Sequence, residues 1–149
     1  MLTIHDVFHW FLEKEAMSFK KANFLCYYAQ AWYVTLYDKG PFFKEGFQAW
    51  VHGPVSPDLF HEYKGNGYRL PILKEDTGPF SESELKVLEL VYSTYGPLSP
   101  GQLEWNVHRE DPWIRARKGA GPLEPSSEAI SVDSMREYYR NRYRAADDD

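Results

Sequence analysis

Three groups of residues in this chain have the types and spacing of reactive sites. His5, His9 and Glu13 recur at i, i+4 and i+8, so on a helix they share one face, and two imidazoles so placed are able to ligate a transition metal. The zinc-binding helix pattern puts a glutamate directly after the first histidine, whereas Asp6 stands there, and no cysteine or histidine cluster elsewhere completes a coordination sphere. That face reads as solvated, and no metal is expected. His108, followed by Arg109, Glu110 and Asp111, offers a general base beside carboxylates, yet no serine, cysteine or lysine nucleophile has a partner at motif spacing. The helix-start signal Asp111-Pro112 accounts for the same residues, so His108 is expected to hydrogen-bond backbone and hold the turn that Pro112 and Trp113 begin. Gly53-Pro54-Val55 resembles a phosphate loop only superficially, because one glycine followed by a proline without an N–H makes a poor anion cradle. A tight turn that aims the next helix is the expectation there. These groups predict no catalytic residue, no cofactor and no enzyme.

The richest chemistry in the chain is that of recognition. Phe42, Phe43, Phe47, Trp50, Phe60 and Tyr63 put six large rings into 22 residues, with His52 among them. That is more aromatic surface than a short ribbon usually buries, and aromatics with a polar rim are what interface hot spots look like. Core packing and partner contact both remain open for these rings. The expected partner-binding set is Phe42, Phe43, Phe47, Trp50, His52, Phe60 and Tyr63. The net charge of -5 argues against a phosphate backbone and suits a basic partner surface. Arg136, Arg140, Arg142 and Arg144 with Tyr139 and Tyr143 could touch nucleic acid, but Glu137 and the aspartates at 147–149 dilute that run, so a solvated helix face is expected.

These groups need a scaffold, and 149 residues suit one domain, expected over residues 1–146. Its centre is a helix over residues 18–37, with Ala22, Leu25, Cys26, Ala29, Trp32, Tyr33 and Leu36 at helical spacing and Phe19, Phe24, Tyr28, Ala31 and Val34 widening the apolar face around the cylinder. A helix apolar on so many sides must be surrounded. Ser18 caps its start, and Gly40-Pro41 ends it. Thr3 opens a first helix over residues 4–14 that packs on the central one. Residues 42–55 predict a short β-ribbon or extended loop, with Gly46 as a turn and Gly53-Pro54 as a stop. Ser56-Pro57-Asp58 starts a short helix to about residue 64, with Leu59, Phe60 and Tyr63 inward, ended by glycines 65 and 67. A connector follows over residues 68–80. Ser81 and Glu84 form a capping box for a helix, Ser99-Pro100 and Asp111-Pro112 start two more, and Ser131 or Asp133 starts the last. Aspartates at 147–149 sit badly with the negative pole of a helix C-terminus and are expected to fray. The fold class is thus mainly α: a single helical domain around an aromatic-rich central helix, with a short β-ribbon. Cys26, the one cysteine, sits mid-helix on the apolar face as a small hydrophobe. With no signal-peptide pattern at the start and no run of about 18 apolar residues, a soluble cytoplasmic protein is expected.

The segment YYAQAWYVTLYDKGPFFKEGFQAWVHGPVSPDLFHEYK, residues 27–64, resembles the Panacea-domain family of SocA-like antitoxins. Tyr27, Tyr28, Gln30 and Trp32 match the family's Tyr-Tyr-Ala-Gln-x-Trp helix, and Gly53, Pro54 and Val55 its Gly-Pro-Val. His108, Pro112 and Trp113 match a later histidine before Pro-Trp. The resemblance runs from residue 18 to about 118. It departs from the family pattern at 22–26, where ANFLC replaces a Lys-Leu-x-Lys-Leu type sequence, and at Val107, where a threonine is usual. What it implies is a structural role for the matched residues and an antitoxin of a bacterial or phage toxin–antitoxin pair, of the kind used in phage defence. Such a protein neutralises the toxin of a neighbouring gene by protein–protein contact. A family member acting as an adaptor that delivers its toxin to a protease makes a protease the second partner that the resemblance implies.

Overall fold

A computed structural model describes residues 2–63 and 78–148. Among them the chain forms seven helices and three short strands, in the order α1 (Ile4–Leu12), α2 (Phe19–Leu36), β1 (Phe47–Trp50), β2 (Gly53–Val55), α3 (Pro57–Tyr63), α4 (Glu82–Tyr95), α5 (Pro100–Val107), α6 (Asp111–Ala116), β3 (Ala129–Ile130) and α7 (Val132–Asp148). This is the mainly α architecture that the sequence predicts. The expected stop at residues 65–67 and most of the 68–80 connector lie outside the described residues.

Helix α2 is the centre. Fourteen of its 18 residues are buried, and α1, α4, α5 and α7 all pack on it, as does β2. Its start follows from local chemistry: the Ser18 hydroxyl accepts from the Lys21 amide at 3.1 Å, answering one of the N–H groups that a first turn leaves without a partner. Gly40, at φ 81, takes the left-handed conformation that turns the chain away from the helix. Capping boxes at Ser81 and Ser99 start α4 and α5 in the same local way. The side chain of Ser56 accepts from the Leu59 amide at 3.2 Å ahead of Pro57, and starts α3.

The small sheet has the order β2-β1-β3, all antiparallel. Trp50 pairs with Gly53, so the hairpin turns on Val51 and His52. The expected turn at Gly46 is not the hairpin turn, and Gly53-Pro54 is not a stop but the second strand. Two-residue hairpin turns usually have positive φ at their corners, hence glycine or asparagine there; Val51 and His52 have none, and the positive φ falls instead on Gly53, the first residue of β2, at 131. Strand β3, two residues for which the sequence predicts no element, closes the other edge against Phe47 and Gln48. The backbone of α7 is helical as far as Asp148.

Ala29 has no exposed surface. Ala29→Asp therefore places an unpaired carboxylate in the core and should lower stability by several kcal/mol, on the order of the penalty for burying an uncompensated charge. Thermal or urea unfolding of the variant checks it, and a wild-type melting curve would contradict the central position of α2. Cys26 is fully buried, and burial pushes its thiol well above the ordinary pKa. In the native protein it should react with a thiol reagent only at the rate of unfolding, which stopped-flow labelling with and without urea measures.

Candidate functional site

The first turns of α2, the β1–β2 hairpin and α3 enclose an open cavity of about 400 Å³. Phe19 and Phe24 of α2, Trp50 and Val51 at the end of the hairpin, Val55 and Phe60 form its apolar walls, and Lys20 and His52 stand among the lining residues with the segment Pro125-Ser126. Trp50 and Phe60 meet edge to face at 4.9 Å, and Phe19 and Phe60 at 6.2 Å. Both Trp50 and Phe60 are half-buried, and His52 is exposed.

Local necessity puts the walls in place. Asn23 lies in the cavity lining on α2, where its buried amide acts as a fourth strand for β2: Nδ2 donates to the Pro54 carbonyl at 2.8 Å, and Oδ1 accepts from the Ser56 amide at 3.0 Å. Gly53 lets the hairpin come this close. A Cβ on it would lie 2.9 Å from Phe24 Cε1 and 3.0 Å from Val107 Cγ2. From the other side Trp113 Nε1 donates to the Trp50 carbonyl at 2.8 Å, and the buried guanidinium of Arg117 donates to the Ala49 carbonyl at 2.9 Å. Arg117 also donates to the carbonyls of Gly121 and Glu124, at 2.9 and 2.5 Å. Trp113 is itself held by the His108 ring, stacked at 4.3 Å and 15°, and Arg117 lies 4.8 Å from its ring centre.

Glu104 of α5 gathers the charge beside the cavity. It pairs with Lys20, and its Oε2 lies 3.5 Å from His52 Nδ1 and 4.0 Å from His108 Nε2. Burial pushes its carboxyl up, but the hydrogen bond and charge of Lys20, with those of His52, outweigh this and hold it below the ordinary glutamate value. The carboxylate therefore stays charged and paired, which suits an anchor of the rim better than a base.

The seven residues of the expected contact set separate into three places. Phe42, Phe43 and Phe47 are buried in the core, where Phe42 stacks on Tyr33 at 4.6 Å and Phe47 meets Tyr27 at 5.3 Å. Tyr63 docks α3 on α1, with its ring 4.6 Å from Phe8 and its hydroxyl 3.0 Å from His9 Nε2. Trp50, His52 and Phe60 remain at the cavity. His5 lies 3.0 Å from Glu62, so the histidine face of α1 is occupied by α3.

The matched motif residues are scattered in sequence and converge on packing. Gln30 Nε2 donates to the Phe43 carbonyl at 2.9 Å, and its Oε1 accepts from the Phe42 amide at 2.7 Å. Trp32 Nε1 donates to Tyr95 Oη at 2.8 Å, and Tyr28 donates to Glu110 Oε1 at 2.9 Å while stacking on Tyr95 at 3.9 Å. Tyr27 lies fully inside, and Pro112 is buried beside Trp113. Asn23, Glu104 and Arg117 were not among the expected site residues. An asparagine among the rings of a buried helix is a usable signal for the first, since it favours helix interiors poorly and needs partners when buried. Arg117 gives none, because its partner at Ala49 is 68 residues away.

Gly53→Ala should misplace the hairpin. The added methyl meets a buried ring and a buried valine in a backbone conformation that alanine rarely adopts, so a loss of roughly 2–4 kcal/mol is expected. Urea unfolding measures it, and a variant as stable as the parent would show that the hairpin does not press on α2 and α5.

A comparison with curated proteins returned no match, nor did one with solved structures. A family model described as antitoxin SocA-like, Panacea domain, matches residues 25–114. That span is more than half of the chain and runs from α2 through the hairpin, α3, α4 and α5 into α6. It holds the Tyr27-to-Trp32 helix, the Gly53–Val55 strand and the His108–Trp113 stack whose packing is described above, and by that match the chain belongs to the Panacea-domain family of SocA-like antitoxins.

Proposed function

We propose that this protein neutralises a protein toxin by binding it directly and stoichiometrically, with the toxin engaging the cavity between α2, the hairpin turn and α3. Membership of an antitoxin family implies a toxin as partner. The observation that carries the site is the cavity itself. It is an open apolar hollow with Trp50 and Phe60 half-exposed in its walls and Lys20, Glu104 and His52 around it. Such an arrangement receives an apolar side chain of a partner and surrounds it with polar contacts. The net charge of -5 favours approach of a basic toxin surface. The toxin is proposed to be the product of an adjacent gene, and the pair to meet in the cytoplasm.

In this reading occupancy of the toxin is the whole activity, and no reaction is catalysed. The histidine with the most enzyme-like neighbours, His108, has its ring stacked on Trp113 and its Nε2 enclosed. Nucleic acid is not the proposed partner, since Arg136 and Arg140 of α7 are paired with Asp133 and Asp38.

Trp50→Ala and Phe60→Ala should each weaken the complex by about 2 kcal/mol, roughly 30-fold in Kd, while the melting temperature stays within a few degrees of the parent. Phe47→Ala is the contrast, because a buried ring truncated to alanine should cost about 3–5 kcal/mol of stability before it costs binding. Co-expression with the neighbouring gene, followed by pull-down, titration and thermal melts of each variant, measures both quantities. Unchanged binding in the Trp50 and Phe60 variants would move the contact elsewhere. Rescue of growth without an isolable complex, and only when a host protease is present, would replace occlusion by delivery of the toxin for degradation.

A further inference from the structure

A second recess lies among α4, α5, the α5–α6 junction and α7, and shares no residue with the cavity. Its volume is about 190 Å³, and Tyr95, Asn106, Arg109, Glu110, Tyr138 and Arg142 line it. Glu110 forms its floor. The carboxyl is partly buried, which pushes its pKa above the ordinary glutamate value, and both of its strong hydrogen bonds fall on one oxygen: Oε1 accepts from Tyr28 at 2.9 Å and from Tyr139 at 2.6 Å. Oε2 accepts nothing among the described residues, and it is not a sealed atom. Two arginines line the same recess. Arg109 lies 5.5 Å from the ring centre of Trp105, itself 64% exposed, and Arg142 donates to Tyr138 Oη at 3.2 Å.

Among the described residues these two arginines, like Lys39, Lys44, Arg117 and Arg144, stand apart from the ion-paired cations. Lys14, Lys20, Lys21, Lys86, Arg115, Lys118, Arg136 and Arg140 all pair with carboxylates. Arg109 and Arg142 form no ion pair among the described residues, not even with Glu110, although they flank it in an acidic protein. The recess thus brings together a carboxylate oxygen with no hydrogen bond among the described residues and two exposed guanidiniums with no ion pair there, Arg142 donating only to Tyr138. A simple anion placed there would satisfy the arginines and meet the Glu110 carboxylate; a simple cation would do the reverse. A molecule with both signs a few ångströms apart answers all three at once. The Tyr95 hydroxyl already accepts from Trp32 Nε1, so its own hydrogen is available to a ligand. At about 30 Å³ per water the recess holds some six waters, the bulk of a small amino acid.

We propose that this recess binds a free α-amino acid, with the ammonium on Glu110 Oε2 and the carboxylate between Arg109 and Arg142. A peptide terminus is a poorer fit, because it carries the ammonium or the carboxylate but not both on one carbon. The site stands independently of the toxin reading, since it uses none of the cavity residues.

The test is titration of the full-length protein with each of the twenty amino acids at up to about 10 mM, tenfold above a Kd of about 1 mM, read by thermal shift and calorimetry. Each binder is compared with its N-acetyl derivative, which lacks the ammonium, and its amide, which lacks the carboxylate. At least one amino acid should bind, and both derivatives should bind at least about tenfold more weakly, the loss expected when a charge-assisted hydrogen bond is removed. Arg109→Ala with Arg142→Ala should give a similar loss, and because both side chains are exposed, this double variant keeps the fold. Glu110→Gln should also weaken binding; where it fails to fold, the double variant decides. No binding by any amino acid, an N-acetyl derivative as tight as its parent, or unchanged affinity in the double variant would each overturn the assignment.

Discussion

A helix enclosed on nearly every side can carry a polar group only where another element answers it, and α2 carries several. Asn23 and Gln30 are almost fully buried, as is Lys21, and an amide in such a place without partners would cost on the order of 1–3 kcal/mol for each unsatisfied group. Each is answered by backbone far away in sequence. Gln30 closes on the Phe42 amide and the Phe43 carbonyl, Asn23 on the Pro54 carbonyl and the Ser56 amide, and Lys21 donates to the Gly96 carbonyl at 2.7 Å. Apolar contact alone would let the loop and hairpin slide over α2, since it is not directional. The amides set the register.

That register decides which rings are core and which are surface. With residues 42 and 43 tied to Gln30, Phe42 and Phe43 must turn inward, toward Tyr33 and Phe47. With Pro54 and Ser56 tied to Asn23, the hairpin lies across the first turns of α2, and its two-residue turn carries Val51 and His52 over the cavity. Gly53 then has no room for a side chain, because the strand it belongs to has been drawn against Phe24 and Val107. The Tyr-Tyr-Ala-Gln-x-Trp helix and the Gly-Pro-Val strand are thus two halves of one packing arrangement.

What the sequence made legible is what short-range chemistry decides. Caps at Ser18, Ser81 and Ser99 use a hydroxyl and an amide three residues on, so residue types at fixed spacing specify them. The apolar width of α2 likewise announced a buried helix. The hairpin turn was misplaced because Val51-His52 carries none of the glycine or asparagine usual at such corners, while Gly46 does and lies outside the ladder. Strand β3 is two residues long and owes its pairing to β1, some 80 residues away, so no local period marks it. The contact rings were legible only as a class: a phenylalanine reads the same whether it faces Tyr33 or a partner, and the deciding bonds come from Gln30. Glu110 sat within a suspected cluster, yet its real partners, Tyr28 and Tyr139, come from helices that sequence spacing cannot bring together.

The junction of α5 and α6 serves both hollows of the molecule through consecutive residues. His108 stacks on Trp113, whose indole holds the Trp50 carbonyl at the cavity. Glu110, two residues on, is the N-cap of α6 and takes the hydroxyls of Tyr28 and Tyr139 at the floor of the recess. Between them Arg109 is part of the recess lining. A rotation of this junction that tightened contacts on one side would alter Trp113 or Glu110 on the other, since packed side chains do not deform independently. The cavity and the recess therefore share one rigid support, and its rigidity comes from the same source as the register of the hairpin: polar groups of buried helices that find their partners on other elements.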